Sequence, residues 1–547
     1  MVRIYEIKLK LGEDKRLIPQ RIQEKLKTTA PIGAYTIAAE SIDARDKKNI
    51  LFVYTVDFEF EHEKGGGRRV QRAGAYALET APDLSYSPPA PGTAPLSSRP
   101  VIVGFGPCGM FAALILAECG YRPIVLERGK SVEARIADVR RFWKEGLLLE
   151  NSNVQFGEGG AGTFSDGKLT AGRKDKRARK VLTELVAAGA GEAILYAQKP
   201  HIGTDVLRIV VSNLRKKIIA AGGEIRFETR LDNMRVDEAG RLAALVTSPT
   251  GVAGGLAPPT TSPAEAAGGL MPPPAPQENA IAADVLLLAV GHSARDTIRA
   301  LYAAGLPMAQ KPFSIGLRIE HPQSLINEAQ YGREAAALLP PATYQLAHHC
   351  QNGRGVYTFC MCPGGSVIVA SSQAGGVVTN GMSTSARDGP FANSGLLVDV
   401  RPSDFESENP LAGIIFQEKY ERIAFQRGGG HYDAPKTTWG AFAADSAAAK
   451  PVTDCLPAFA AAALREAMPQ LARRVKGFDQ PDAALYAVES RSSAPFRILR
   501  NERCESSVPG VYAGGEGAGY AGGIVSAAAD GIRIAEEIVI KYSNTAL

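Results

Sequence analysis

Apolar positions along this chain change their period, and each change predicts a different architecture. Residues 2–11 alternate apolar and polar, as a half-buried strand does. Residues 18–26 take helical spacing, and 35–42 and 50–60 read as two further strands, the second rich in Val, Phe and Tyr. The prediction is a small α/β module, ferredoxin-like in outline, over residues 1–95. A stretch dense in Pro, Ser and Ala at 85–100 reads as the linker that ends it.

Continuous apolar runs then replace alternation, as strands buried on both faces require. Residues 100–103 and 121–126 read as parallel strands around a small-residue helix at 109–119. Helices are predicted at 132–144 and 205–220, and strands at 224–227 and 242–247. Residues 248–279 collapse to Pro, Ala, Gly and Thr, which predicts a disordered insertion between two strands. An apolar strand resumes at 283–291. Short β-rich runs at 313–320, 356–362, 366–370 and 396–400 follow, marked by Pro and Gly as in an antiparallel meander. A last strand from residue 510 and a helix over 525–540 close the pattern. The fold class expected is α/β: a Rossmann-type dinucleotide-binding domain split between 96–310 and 456–547, with a mainly antiparallel substrate domain inserted at 311–455.

Glycines give this pattern a chemistry. Gly104, Gly106 and Gly109 stand at G-x-G-x-x-G spacing between the first strand and its helix, with Pro107 and Cys108 inside the turn. Such glycines serve a tight turn, close backbone approach to a pyrophosphate, and close helix–strand packing. The helix amino terminus offers free N–H groups and a positive dipole end to the phosphates. Glu127 follows at the end of the second strand, where an acid accepts a ribose 2′-hydroxyl, and Arg128 is next to it.

A second glycine segment runs from Phe156 to Leu169, with five glycines in the eleven residues 157–167. Each glycine costs conformational entropy, so the segment predicts backbone wrapped closely on a ligand. Gly159, Gly160, Gly162, Thr163 and Ser165 are assigned to the cofactor, and Asp166 and Lys168 to the chemistry. Ala289 and Gly291 end the strand at 283–291, and His292 reads equally as a satisfied loop residue or a catalytic one. Cys360 and Cys362 share one side of a strand. A disulfide between residues so close would be strained and easily reduced, and the pair reads either as redox or substrate-facing thiols or as packing. No metal set is predicted, because no further Cys or His is spaced for zinc. Arg491 could bind an acidic substrate or serve as a salt-bridge partner. Near the end, Gly515 and Glu516 follow a strand while Gly522, Gly523 and Ile524 open a helix.

Composition narrows the class without adding to the chemistry. With 45% hydrophobic and 22% charged residues the chain is ordinary globular material, and its net charge of +5 over 547 residues gives no case for wholesale nucleic-acid binding. A flexible basic loop is predicted at Gly65, Gly66 and Gly67 with Arg68 and Arg69, and a basic run at 173–180 reads as a solvated helix face. No apolar run reaches the roughly 18 residues that suggest a membrane span, and the start lacks a signal-peptide layout. Seven scattered cysteines do not make a secreted disulfide framework. The expectation is a cytoplasmic protein with a small-molecule substrate and no membrane partner. Oligomeric state is not legible.

Taken together, these glycine motifs resemble the FAD-binding branch of the glutathione-reductase superfamily. More narrowly, GEGGAGTFSDGKL at 157–169, GHSARDT at 291–297, CMCPGG at 360–365 and GEGAGYAGGI at 515–524 resemble a bacterial family of uncharacterised FAD-dependent dehydrogenases. The likeness covers roughly residues 100–540, and the amino-terminal module is also like that family's. Many relatives carry aspartate where Glu516 stands, which puts the reach of its hydrogen bond in doubt. The resemblance implies FAD but supplies no substrate. The working hypothesis is hydride transfer between a bound substrate and flavin N5, and a transient donor such as NAD(P)H could approach the flavin from the antiparallel domain without a motif of its own. Two other readings are a flavin-dependent RNA-modifying enzyme recruited by the first module, and a non-catalytic flavin-binding regulator.

Overall fold

Five short strands, all but the edge strand Glu224–Arg226 buried through their length, form a wholly parallel sheet at the centre of the molecule. Val101–Val103 pairs on one side with Ile124–Leu126, which pairs with Glu224–Arg226. On its other side it pairs with Leu286–Leu288, which pairs with Val511–Ala513. The order of strands therefore reverses at Val101–Val103. In open α/β sheets such a switch point opens a crevice at the carboxyl ends of the strands. The computed structural model describes residues 1–61, 78–170, 175–250 and 279–545. The predicted Gly65–Arg69 loop and nearly all of the 248–279 insertion lie outside the described residues.

The helix Pro107–Glu118 starts at the proline rather than at Gly109, because Gly106 caps it and proline needs no N–H partner in the first turn. Residues 108–117 are all buried, between the sheet and the final helix Ile524–Lys541. Gly109 is inside the helix for a packing reason: a Cβ there would lie 1.9 Å from the Gly104 carbonyl. A Cβ on Gly531 would likewise lie 2.1 Å from the Cys108 carbonyl, so the two helices touch backbone to backbone.

A six-stranded antiparallel sheet carries the second large core. Its order is Ala347–His349, Gly355–Cys362, Phe391–Val400, Phe313–Pro322, Ala484–Glu489 and Lys436–Thr438. Helix Ala458–Ala472 packs in that core too. The antiparallel region thus runs to Glu489, past residue 455 where the inserted substrate domain was expected to end. Met308–Gln310 pairs with Phe496–Ile498, tying together the chain that enters this region and the chain that leaves it. Thr229–Val236, Leu242–Pro249 and Asn279–Ala282 form a separate three-stranded antiparallel sheet. The predicted insertion falls between its last two strands.

At the amino terminus, Ile32–Asp43, Leu51–Phe60, Val2–Lys10 and Glu79–Thr80 form an antiparallel sheet in that order. Helix Ile18–Leu26 covers it through Ile18, Ile22 and Leu26. Several of its cations are met by acids: Arg3 with Asp57, Lys15 with Glu40, Arg21 with Glu13 and Glu24. The predicted linker is not free. Gly92 and Ala94 donate to the Val539 and Lys541 carbonyls, Ser543 donates back to Ala94, and Leu96 is buried. Among the described residues no helix is long and apolar enough to cross a membrane.

Candidate functional site

A cavity of about 790 Å³ opens at the switch point and extends to the antiparallel sheet. That volume is in the range of small-molecule and cofactor pockets. Its first end is backbone-rich: Gly104, Gly106, Gly160, Gly162, Gly291, Gly522 and Gly523 all line it, with Pro107, Cys108, Ser165, Ala289 and Ile524. Gly106 and Gly160 oppose one another, and a Cβ on Gly160 would stand 3.2 Å from the Gly106 Cα. Gly104 takes φ +100°, and a Cβ on it would reach 2.3 Å from the Ala289 carbonyl. The amino termini of Pro107–Glu118 and Ile524–Lys541 both face this end.

Glu127 lines the cavity, but its carboxylate is already engaged. It accepts from the backbone N–H of Phe105 at 2.8 Å, Gly129 at 2.8 Å and Gly157 at 3.0 Å. It thereby ties the first glycine turn to the second glycine segment. A carboxylate has about four lone-pair sites, so acceptor capacity remains. Arg128 is paired with Asp296 at 2.8 Å through both Nη atoms and lies over the Phe156 ring.

Gly109, Gly159, Thr163 and Gly515 do not line the cavity; they shape its walls. Thr163 Oγ1 donates to the Glu158 carbonyl, and a Cβ on Gly159 would strike that hydroxyl at 2.1 Å. Gly515 packs on the Cys108 side chain. His292, weighed as a loop residue in the sequence, is buried on the cavity wall beside Glu516, with Nδ1 3.3 Å from Oε1. That approach lacks hydrogen-bond geometry, and neither ring nitrogen has a hydrogen-bond partner.

The other end is built of charged side chains. Asp166, fully buried, receives Arg387 through Nε at 2.9 Å and Nη2 at 2.5 Å, Lys168 Nζ at 2.9 Å, and the Ser383 hydroxyl. Burial alone would raise its carboxyl, but Lys168 and Arg387 hold it well below the usual carboxylate range. Lys168 Nζ also lies 3.8 Å from Cys360 Sγ and 3.5 Å from Cys362 Sγ. Burial opposes the ammonium, yet the two sulfurs and Asp166 outweigh it and raise its pKa. Behind the thiols, Arg318 pairs with Glu489 at 2.7 and 2.9 Å and donates to the Cys360 carbonyl at 3.1 Å.

Sequence reasoning brought Asp166, Lys168, Cys360 and Cys362 to one place. It missed Arg387, Ser383, Arg318 and Glu489, which carry no local signal because their partners are far away along the chain. Arg491 lines the cavity as an ion-pair partner: Nη2 meets Glu421 at 2.7 Å, and Glu421 also holds the buried Arg295. Among the described residues one His/Cys/Glu group, His348, Cys350 and Glu466, brings its ligand atoms within 4.8 Å of one another. It is partnered already: Cys350 donates to the Ala463 carbonyl and Glu466 accepts from the Gln351 N–H.

Residues 312–492 match the family model described as FAD-dependent protein, C-terminal domain-like, and residues 1–59 match a domain of unknown function. Over 560 aligned positions the chain is 42% identical to an uncharacterised protein of Clostridium beijerinckii, covering 99% of each. Among solved structures, L-proline dehydrogenase from P. horikoshii aligns with 82% of this chain and 93% of its own, at 10% identity and a TM-score of 0.33. Glycine oxidase from Geobacillus kaustophilus aligns with 82% and 96%, at 11% identity and a TM-score of 0.32.

Proposed function

We propose, for a chain that belongs to one family with the Clostridium beijerinckii protein and carries the FAD-dependent C-terminal domain, that it is an FAD-dependent oxidoreductase acting on a small molecule. The observation that carries the reading is the meeting of two helix amino termini, from parts of the sequence about 400 residues apart, on one glycine-walled cavity. FAD is the cofactor, and the residues present fit it. A Cβ on Gly106 would project into the open cradle, 3.9 Å from the Gly160 Cα, where a diphosphate would lie, and buried His292 presents two ring nitrogens without hydrogen-bond partners. When bound, FAD supplies two-electron chemistry at its N5 position.

The chain's own residues divide the remaining work. Gly106 and the first turn of helix Pro107–Glu118 would hold the diphosphate through its free backbone N–H groups and dipole, while Gly104, whose own N–H goes to the Leu126 carbonyl, and Pro107, which has none, shape the turn. Glu127 keeps that turn in shape and retains capacity for a ribose hydroxyl. Gly522, Gly523 and Ile524 open the last helix onto the cavity, where its dipole would face the redox ring, and Glu516 and His292 would offer polar groups to the bound cofactor. Lys168, Cys360 and Arg387 form the substrate end. The domain division that fits this reading is an amino-terminal ferredoxin-like module, a Rossmann-type cofactor domain split in sequence, and a substrate domain over roughly 312–492.

The test is direct. The purified protein should be yellow with one FAD per chain, and anaerobic mixing with NADH, NADPH or a metabolite panel should bleach the band at about 450 nm. A colourless protein that takes up no added FAD would end the proposal.

A further inference from the structure

The charged end of the cavity holds two thiols arranged unequally. Cys360 lines the cavity, whereas Cys362 is fully buried behind it. The strand Gly355–Cys362 is irregular between Phe359 and Cys362, and Cys360 takes φ +45°, a left-handed conformation that is unfavourable for a residue with a Cβ. Such a cost persists where surrounding structure imposes it, most often at functional sites. Here the bend turns both sulfurs toward Lys168. A Cβ on Gly381 would meet Cys362 Sγ at 2.8 Å and Arg318 Nη1 at 2.2 Å, so the thiols are enclosed on that side. The Thr379 hydroxyl, on the same wall, is buried without a hydrogen-bond partner.

We propose that Cys360 and Cys362 are a redox-active dithiol that reduces a small disulfide bound at the Lys168 end of the cavity. The proposal rests on the flavin reading above only for the return of electrons. Cys360 is the attacking sulfur: of the two it is the one that lines the cavity, 3.8 Å from the Lys168 ammonium, and the neighbouring Cys362 thiol, with Lys168 and Arg318, holds it well below the ordinary value against burial. Cys362, whose S–H donates to the Cys360 carbonyl at 3.3 Å, is pushed well up by the neighbouring Cys360 sulfur and by burial, so it keeps its proton until needed.

The Cys360 thiolate attacks one sulfur of R–S–S–R, forming Cys360–S–S–R and expelling RS⁻. Cys362 gives its proton to that thiolate by way of Lys168 and attacks Cys360 Sγ. The second RS⁻ leaves and takes a proton from solvent. The substrate gains two electrons and the protein gains a Cys360–Cys362 disulfide. Two electrons and two protons from a reduced flavin restore the dithiol. A resolving thiol in reach of the first is what a packing role does not require.

The full-length, flavin-loaded protein would be treated anaerobically with 2-hydroxyethyl disulfide and digested for mass spectrometry. In the wild type the peptide carrying both cysteines should lose two hydrogens, with two small thiols released per chain. Cys362→Ser should stop at the mixed disulfide on Cys360 with one released, and Cys360→Ser should give neither product. Lys168→Met should slow alkylation of Cys360 at neutral pH by about tenfold, the change expected of a one-unit rise in thiol pKa. The dithiol is overturned if Cys360 stays unmodified, reacts no faster than half-buried Cys119, or if Cys362→Ser still releases two thiols. Flavin absorbance on the same samples separates the two readings, since the exchange itself needs no flavin: a colourless protein that still forms the disulfide sinks only the flavin reading.

Discussion

At one end of the cavity the walls are main chain, set by Gly104, Gly106, Gly160, Gly522 and Gly523. At the other they are side chains locked in ion pairs, with Asp166 held by Lys168 and Arg387 and with Arg318 held by Glu489. Backbone donors do not titrate, so the glycine walls of the first end offer the same donors at any pH. The second end is made of groups whose charges depend on one another, so it can exchange protons and electrons. A diphosphate, whose charge does not change in the reaction, suits the first end and a reacting substrate the second.

The largest expected effect tests whether the charged end is a framework. Asp166→Ala leaves Lys168 and Arg387 without their buried acid, and removing one partner of such a pair costs about 3–5 kcal/mol. Urea unfolding should show that loss, while the folded fraction keeps its flavin; an unchanged midpoint would mean the ion pairs are incidental. The reverse pattern is expected of Gly106→Val, which fills the cradle facing Gly160. FAD binding should weaken about a hundredfold, or ~2.8 kcal/mol, in a fluorescence titration, with the flavin-free protein as stable as before. Equal affinity would place the diphosphate elsewhere.

Acid should separate the ends as well. Because the Asp166 carboxyl is lower in the folded protein than its unfolded value of about 3.9, its contribution is fully present above about pH 4 and is lost as pH falls through the folded value. Asp166→Asn should flatten that acid slope in unfolding measured across the range, and a slope as steep as the wild type's would assign it to other carboxylates. The smallest effect is at His292. Replacing its two unpartnered nitrogens in His292→Leu should raise the stability of the flavin-free protein and weaken FAD by about 1 kcal/mol. A variant that binds FAD as well as the wild type would show that the ring does not touch the cofactor.

What could be read from the sequence follows from how far each constraint reaches. The strand, glycine turn, helix and acid from 101 to 127 lie within one local unit, and the structure forms them within a few residues of the predicted bounds. The helix began two residues early because a capping glycine and a first-turn proline outweigh the glycine inside it. Asp166 was legible as a polar residue in a glycine segment, but its burial was not. Its partners Ser383 and Arg387 come from more than two hundred residues downstream, and no local pattern announces them. The reach of the antiparallel sheet to Glu489 was hidden likewise, since Ala484–Glu489 joins Phe313–Pro322 across a long excursion.

The cavity's glycine end draws its last wall from Ile524–Lys541, which also packs on Pro107–Glu118 and is stitched to Gly92 and Ala94. Protein synthesis proceeds at about 5–20 residues per second, so the earliest helix of the sheet waits on the order of a minute for its cover to be translated. Until then its apolar outer face is unprotected. The glycine end of the cavity is therefore incomplete until that covering helix has been made and has docked.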